Sequence, residues 1–347
     1  MLGAEHPDTL TTASNLASTL SSQGKHAEAE EMEREVLGVQ MRVMGAGHPA
    51  TLLTESCLAR SICKQGQHAQ AEELLRTVLP VQRQLLGLEH DNTLTTMCHL
   101  ASAFCGQGQH AEAEVIEREV LAVRKRVLGE EHPSTLATTL GLARCLSDQG
   151  EYAEAEAMLR EVLAVRKRVL GAEHCDTLIT AHNLACSLSE QEKHAEAEAL
   201  QRELLAVQQR VLGAEHAHVL ITAHNLACSL SEQEKHAEGE ALQRELLAVQ
   251  KRVLGAEHAD TLITAHNLAI SLGHQARYGE AARILHALLA VQRRVFGQKH
   301  PDTLSTEKLL NTCLSYKKRH HAREENACDE SEDNSRKRGR AGHDSGM

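Results

Sequence analysis

GEEHPSTLATTLGLARCLSDQGEYAEAEAMLREVLAVRKRVLG, residues 129–171, is one period of a pattern that fills most of the chain. Inside it Leu136, Leu140, Ala143 and Leu146 recur at helical spacing, and Ser134 or Thr135 is placed to cap a helix entered through Pro133. Gly150 closes that helix. A second is expected from near Tyr152, with Ala155, Leu159, Val162, Val165 or Arg166, and Val169 along one stripe. It stops at Gly171, because a helix end in the left-handed conformation favours glycine. Arg166, Lys167 and Arg168 fall in its last turns, where the helix dipole favours cations. Two short helices cannot bury their own apolar stripes, so what flanks this stretch decides the fold.

The flanks repeat it. His6, His48, His90, His132, His174, His216, His258 and His300 recur every 42 residues, each with Gly three positions earlier. Residues 172–213 and 214–255 differ at five of 42 positions, the mark of a tandem duplication. ITAHNLACSLSEQEKHAE therefore stands unchanged at 179–196 and 221–238. A period divisible by seven raises a long coiled coil. The Gly-x-x-His connector and the mid-unit break interrupt any continuous heptad and exclude it. What remains is an all-α solenoid of antiparallel helix pairs, about seven of them, with a terminal helix over Thr303–Tyr316.

Composition agrees. The chain has 347 residues, 41% of them apolar but only 1% aromatic, with no Trp, two Phe and three Tyr. Helices packed through small and branched aliphatic residues suit such a chain better than sheets do. Formal net charge is −11, and residues 317–347 hold eight Lys/Arg against seven Asp/Glu, so the body carries the whole excess of acid. Such a body repels phosphate backbones and offers no aromatic platforms, which argues against a nucleic-acid partner. The N-terminus has no basic segment followed by an apolar one, and no apolar run reaches membrane-spanning length, so no membrane partner is expected. Ten cysteines without a C-x-x-C read as reduced thiols serving as small apolar side chains. The reading is a cytoplasmic protein, with KKR at 317–319 and RKRGR at 336–340 as a candidate nuclear-import signal in a disordered charged tail, 317–347.

The run N-L-A-x-x-L-x-x-Q-G-x-[YH]-x-E-A, from Asn15-Leu16-Ala17 to Glu28-Ala29, resembles the tetratricopeptide repeat. The 42-residue spacing and the connector L-G-x-x-H-P-[DS]-T-L, intact at 128–136, make it most similar to the variant of kinesin light chains and nephrocystin-3-like proteins. The resemblance implies a right-handed superhelix over 1–316 and a non-catalytic interaction scaffold whose concave groove takes a peptide or protein segment. The alternative it implies is a kinesin light chain-like cargo adaptor in a motor or cargo complex. Kinesin light chains reach their motor through a coiled coil ahead of the repeats. Here the array starts inside a connector at Leu2-Gly3, as expected of a fragment or a minimal gene product. The aromatic that the family often places in the second helix is replaced by Glu33, Arg160, Gln201 or Gln243, which implies an inter-helix seam of Leu, Val and Ala. Glu192 and Glu234 stand where earlier units have the mid-unit glycine.

Carried over residue by residue, the family pattern sends Leu184, Ala185 and Leu188 into helix packing. It turns His182, Asn183 and Cys186 to the groove, with His224, Asn225 and Cys228, and His266 and Asn267, in the next units. Asn15, Asn183, Asn225 and Asn267 stand where family members hydrogen-bond a peptide backbone, because an amide donates and accepts at once. Cys57, His99 and Gly141 replace them in units two to four. Arg60, Lys64 and Arg144 give the first half of the groove positive charge, and Asp148, Glu190 and Glu232 oppose them further on, which suits a peptide with acidic and basic portions.

A His four residues before a Cys can share a helix face, and both are zinc ligands. Two ligands per unit fall short of a closed site, and Ile270 removes the thiol in the third copy, so no metal is expected. No strained nucleophile turn, oxyanion donor or phosphate loop accompanies Cys186, His182 or His194, so neither a cofactor nor catalysis is expected. His194, in register with Tyr152 and His26, reads as a half-buried packing ring.

Overall fold

A computed structural model describes Gly3 and residues 5–319. Seven helix pairs follow one another. They are α1 (Pro7–Ser22) with α2 (His26–Val43), α3 (Pro49–Lys64) with α4 (His68–Leu85), α5 (Asp91–Gly106) with α6 (His110–Leu128), and α7 (Pro133–Asp148) with α8 (Tyr152–Val169). Then come α9 (Cys175–Glu190) with α10 (His194–Leu212), α11 (Ala217–Glu232) with α12 (His236–Val253), and α13 (Ala259–His274) with α14 (Tyr278–Val295). A further helix covers 301–319, three residues past the expected end of the array. The rest of the charged tail, including RKRGR at 336–340, lies outside the described residues. The fold is an all-α solenoid of antiparallel pairs, and among the described residues there is no strand.

The chain divides into two compact units at Ser187/Leu188. In the first, Leu58, Ile62, Leu75, Met97, Leu100, Phe104 and Val120 build one continuous core. In the second, Leu220, Leu226 and Leu246 form one cluster, and Leu268, Leu272, Leu285 and Leu310 another. Within the first unit each first helix also lies against the next one, α3 on α5 and α5 on α7. Polar ladders join successive pairs. Gln107 and Gln149 donate to Glu72 and Glu114 at 2.5 and 2.8 Å in the first unit, and Gln233 and Gln275 to Glu198 and Glu240 at 2.6 and 2.9 Å in the second. Leu184, Ala185 and Leu188 are buried, as packing residues should be.

Four expectations are corrected. The first helix is capped by the connector histidine, not by Ser134 or Thr135: His132 Nδ1 accepts from the Ser134 backbone N–H at 3.2 Å, and Pro133 is the first helical residue. All eight connector histidines do this, at 3.2–3.3 Å. An imidazole nitrogen serves as the acceptor that satisfies an otherwise orphaned N–H. In the second helix the stripe ends on buried Arg166, and Val169 is exposed. The seam is not purely aliphatic, since Glu33, Glu117, Gln201 and Gln243 are all buried in it. Leu159, not Arg160, holds the buried position in the register of Glu33, Gln201 and Gln243, and Arg160 is exposed.

Arg166 belongs to a row of buried polar residues in the second helices: Gln40, Gln82, Arg124, Arg166, Gln208, Gln250 and Gln292. Arg124 shows why a buried guanidinium is tolerated. It donates to Thr138 Oγ1 at 2.8 Å, Thr95 Oγ1 at 2.9 Å, Asp91 Oδ1 at 3.1 Å and the Ser134 carbonyl at 3.3 Å, so most of its lost hydration is replaced.

Candidate functional site

In the first unit, three of the residues singled out by their charge share one cleft. Arg60 and Lys64 come from α3, Arg144 from α7, and the last turn of α5 lies between them, enclosing about 440 Å3 with His68, His99 and Asp148 also in the wall. Gly106 makes this cleft possible. A Cβ there would lie 2.3 Å from the His68 ring, so only glycine lets the ring and the end of α5 approach so closely. His99 is half-buried, and its Nδ1 lies 2.9 Å from Ser56 Oγ. Burial and the neighbouring Arg60 pull its pKa down to about 3, so the ring is neutral and the cleft's charge is carried by Arg60, Lys64 and Arg144. Arg60 also reaches Ser18 Oγ at 3.5 Å.

Asn15 is exposed on α1 and does not line this cleft. On α9, His182, Asn183 and Cys186 are half-buried, with His182 Nε2 3.6 Å from Cys186 Sγ. The packing of α7 explains why it lacks the asparagine, which periodicity alone does not. Gly141 stands there because the Glu117 carboxylate fills the space, and a Cβ would lie 2.7 Å from its Oε1.

In the second unit the same first-helix face recurs on α11 and α13. His224 Nε2 lies 3.6 Å from Cys228 Sγ, Asn267 Nδ2 lies 4.0 Å from the same sulfur, and His266 Nδ1 is 3.2 Å from Thr306 Oγ1. Burial lowers the pKa of His224 and of His266, and Asp260 and Asp302 work against it. These imidazoles pack as neutral rings between neighbouring first helices. Beside them Ile221 and Ile263, both exposed, border a hollow of about 490 Å3 that also includes His224, Val253 and Asp260. A smaller hollow of about 190 Å3 follows, lined by Ile263, His266, Asn267 and Phe296. The second unit thus presents apolar sockets with a polar rim, where the first presents a cationic cleft.

A group the sequence reading missed lies at the floor of that cleft. Cys105 Sγ, a His110 ring nitrogen and an Asp148 carboxylate oxygen lie within 4.8 Å of one another, and Cys145 Sγ is 2.9 Å from Cys105 Sγ. The donor types would suit a cation, but the Arg144 charge lies beside the same sulfur, and a fixed positive charge so near disfavours a second one. The signal was present as spacing. Residues 40 apart face each other across successive first helices, as Ser189 Oγ and Ser229 Oγ do at 3.5 Å, and Cys105 and Cys145 are 40 apart.

Comparison with known proteins settles the family. The tetratricopeptide repeat profile matches residues 50–126, 118–168, 135–210 and 176–238, and a second profile of the same description matches 9–50, 219–260 and 261–302. The chain belongs to the tetratricopeptide repeat family. Its units are similar to the nearly identical repeats of a Podosopora anserina protein assigned to the kinesin light chains, at 32% identity over 59% of this chain and 97% of that one, TM-score 0.54. In fold alone it is similar to the apo form of RapI, at 13% identity over 95% of this chain and 92% of that one, TM-score 0.66. It is likewise similar in fold to a Rap protein complexed with competence and sporulation factor, at 11% identity over 91% of each chain, TM-score 0.58. No curated protein sequence matches it significantly. Among the described residues no helix of this repeat protein is long and apolar enough to cross a membrane.

Proposed function

We propose that this repeat array is a non-catalytic interaction scaffold, and that the face formed by its first helices receives extended peptide or protein segments. The observation that carries the reading is the cleft of Arg60, Lys64 and Arg144, three cations gathered on a body that is otherwise acidic. A carboxylate-bearing side chain of a partner would find charge-assisted donors there, from two guanidinium groups with fixed fork geometry. The sockets beside Ile221 and Ile263 fit apolar anchors, and Asn183, Asn225 and Asn267 fit backbone hydrogen bonds. Residues 1–316 are the binding array, and 317–347 are a charged tail that serves localisation, cytoplasmic or nuclear.

Fluorescence anisotropy with a labelled Glu/Asp-rich peptide tests this reading. Arg60→Ala with Arg144→Ala should weaken binding about tenfold or more and flatten its salt dependence, since charged contacts of this kind contribute on the order of 1.5–3 kcal/mol. An unchanged affinity would remove the cleft from the binding face. The pair Asn225→Ala and Asn267→Ala tests the second unit in the same way, with circular dichroism as the control for folding.

A kinesin light chain-like cargo adaptor is the second reading, favoured by the 32% identity to the Podosopora anserina repeats. Capture of a kinesin heavy chain by the purified array would support it. Failure to capture one with the 347-residue chain would count against it.

A further inference from the structure

The chain holds ten cysteines, and none of the nine in described residues is in a disulfide. Cys105 and Cys145 differ from the rest by position. Cys105 lies in the last turn of α5 in the wall of the cationic cleft, half-buried, and Cys145 is buried in α7 at 1% exposure. Their sulfurs are 2.9 Å apart, and a bond between them needs an approach of less than an ångström. Cys63, one unit earlier in the register of Cys105, pairs with His68 at 3.3 Å, and His110 stands in the corresponding place within 4.8 Å of the Cys105 sulfur. Forty residues beyond Cys63 stands Ala103, so that copy has no second thiol.

We propose that Cys105 and Cys145 are a hydroperoxide-responsive thiol pair, which closes to a disulfide linking α5 to α7. Cys105 Sγ attacks the distal oxygen of the hydroperoxide, the O–O bond breaks, and an alcohol (water, for hydrogen peroxide) leaves with one thiol proton. Cys145 Sγ then attacks the sulfenic sulfur, the S–O bond breaks, and water leaves with the other proton. Two thiols lose two electrons, and one hydroperoxide gains them.

The surroundings prepare the first step. The hydrogen bond from the Cys145 thiol and the Arg144 charge together outweigh burial and hold the Cys105 thiol below its ordinary range. Cys145 keeps its proton, because it donates to Cys105 and is buried beside the charge that Cys105 carries. Around the cleft, Lys64 and the His68 ring face Cys105 from α3 and α4, and Arg144 faces it from α7. The acids nearby are Glu117 on α6 and Asp148 on α7. Cys63 has a similar histidine but lacks the donor thiol, and burial pushes it up. A thiolate that is reachable, cation-flanked and next to a second thiol is the arrangement that oxidises selectively.

The proposal stands apart from the peptide reading and is tested on the full chain, reduced and treated with a chelator. One equivalent of hydrogen peroxide followed by peptide mapping should give the Cys105–Cys145 cross-link in about tenfold excess over any other cysteine pair. Cys145→Ser should stop at a Cys105 sulfenic acid that dimedone traps, and Cys105→Ser should leave the thiol of Cys145 unreacted. Both variants should fold, because Ser147 and Ser189 occupy the register of Cys105 in later units and Ser187 and Ser229 that of Cys145. Alkylation of Cys105 should have its midpoint below the ordinary thiol range, and that of Cys63 above it. Cross-links spread evenly over other cysteines, an alkylation midpoint near the ordinary ~8.5, or stoichiometric Zn(II) retained through the chelator and silencing both thiols would each overturn it.

Discussion

Glu117 is a carboxyl group where α6 meets α5 and α7, and it is only 4% exposed. Cys98 Sγ lies 3.6 Å from its Oε2. Burial raises its pKa to about 7, although the Cys98 hydrogen bond and the Arg144 and Arg124 charges pull the other way. A carboxyl whose folded pKa lies above its unfolded value gives stability that is fully present below the unfolded pKa of ~4.3, and that is lost as pH rises through about 7. Glu117→Gln removes the titration and keeps the shape, and glutamine already fills this register at Gln201 and Gln243. The variant should therefore gain on the order of 1–3 kcal/mol over the parent between pH 5 and pH 8. Urea unfolding at those two pH values measures it, and a difference that does not change with pH would mean that Glu117 is hydrated.

At the level of the helix pair, the turn inside each unit is the weak joint. It needs one residue in the left-handed region: Gly24, Gly66, Gly108 and Gly150 supply it with φ of 77–85°, and Glu192, Glu234 and Ala276 adopt φ of 58–59° in the later units. The hydrogen bonds survive the change, since Lys235 N still donates to the Leu230 carbonyl at 2.9 Å, as Glu151 N does to that of Leu146 at 2.8 Å. A residue with a Cβ is strained there by ~1–2 kcal/mol, and a new glycine returns part of that as unfolded-state entropy. Glu234→Gly should thus stabilise by about 0.5–1 kcal/mol, and Gly150→Ala should destabilise by about as much. Denaturant midpoints test both signs together, and a loss of stability in Glu234→Gly would show that its side chain makes a compensating contact.

For the molecule as a whole, period and punctuation carried the architecture: the 42-residue recurrence and the glycine breaks suffice for seven helix pairs. What periodicity could not supply was the interior of the seams. Buried Gln, Glu and Arg look like surface residues in an amphipathic pattern, and only partners on the facing first helices, the Leu52 carbonyl for Gln82 and the Thr138 hydroxyl for Arg124, make them tolerable inside. The cleft was half legible. Arg60, Lys64 and Arg144 stood out by charge, but the approach of Gly106 to His68 and the two thiols facing each other at a 40-residue spacing become readable once the helices are stacked. That spacing makes stability a sum over neighbouring units, and it yields a deletion test. Removing residues 214–255 joins Gly213 to Ala256 in register and puts unit 172–213 in place of a copy that differs at five positions. The shortened chain should fold with the same ellipticity per residue and a slightly lower thermal midpoint, because each seam it keeps already exists in the parent. Removing half a period instead, residues 214–234, would set α12 where a first helix belongs, face its charged stripe to the seam, and broaden or abolish the transition. If both deletions unfold alike, stability is not carried by neighbour-to-neighbour seams.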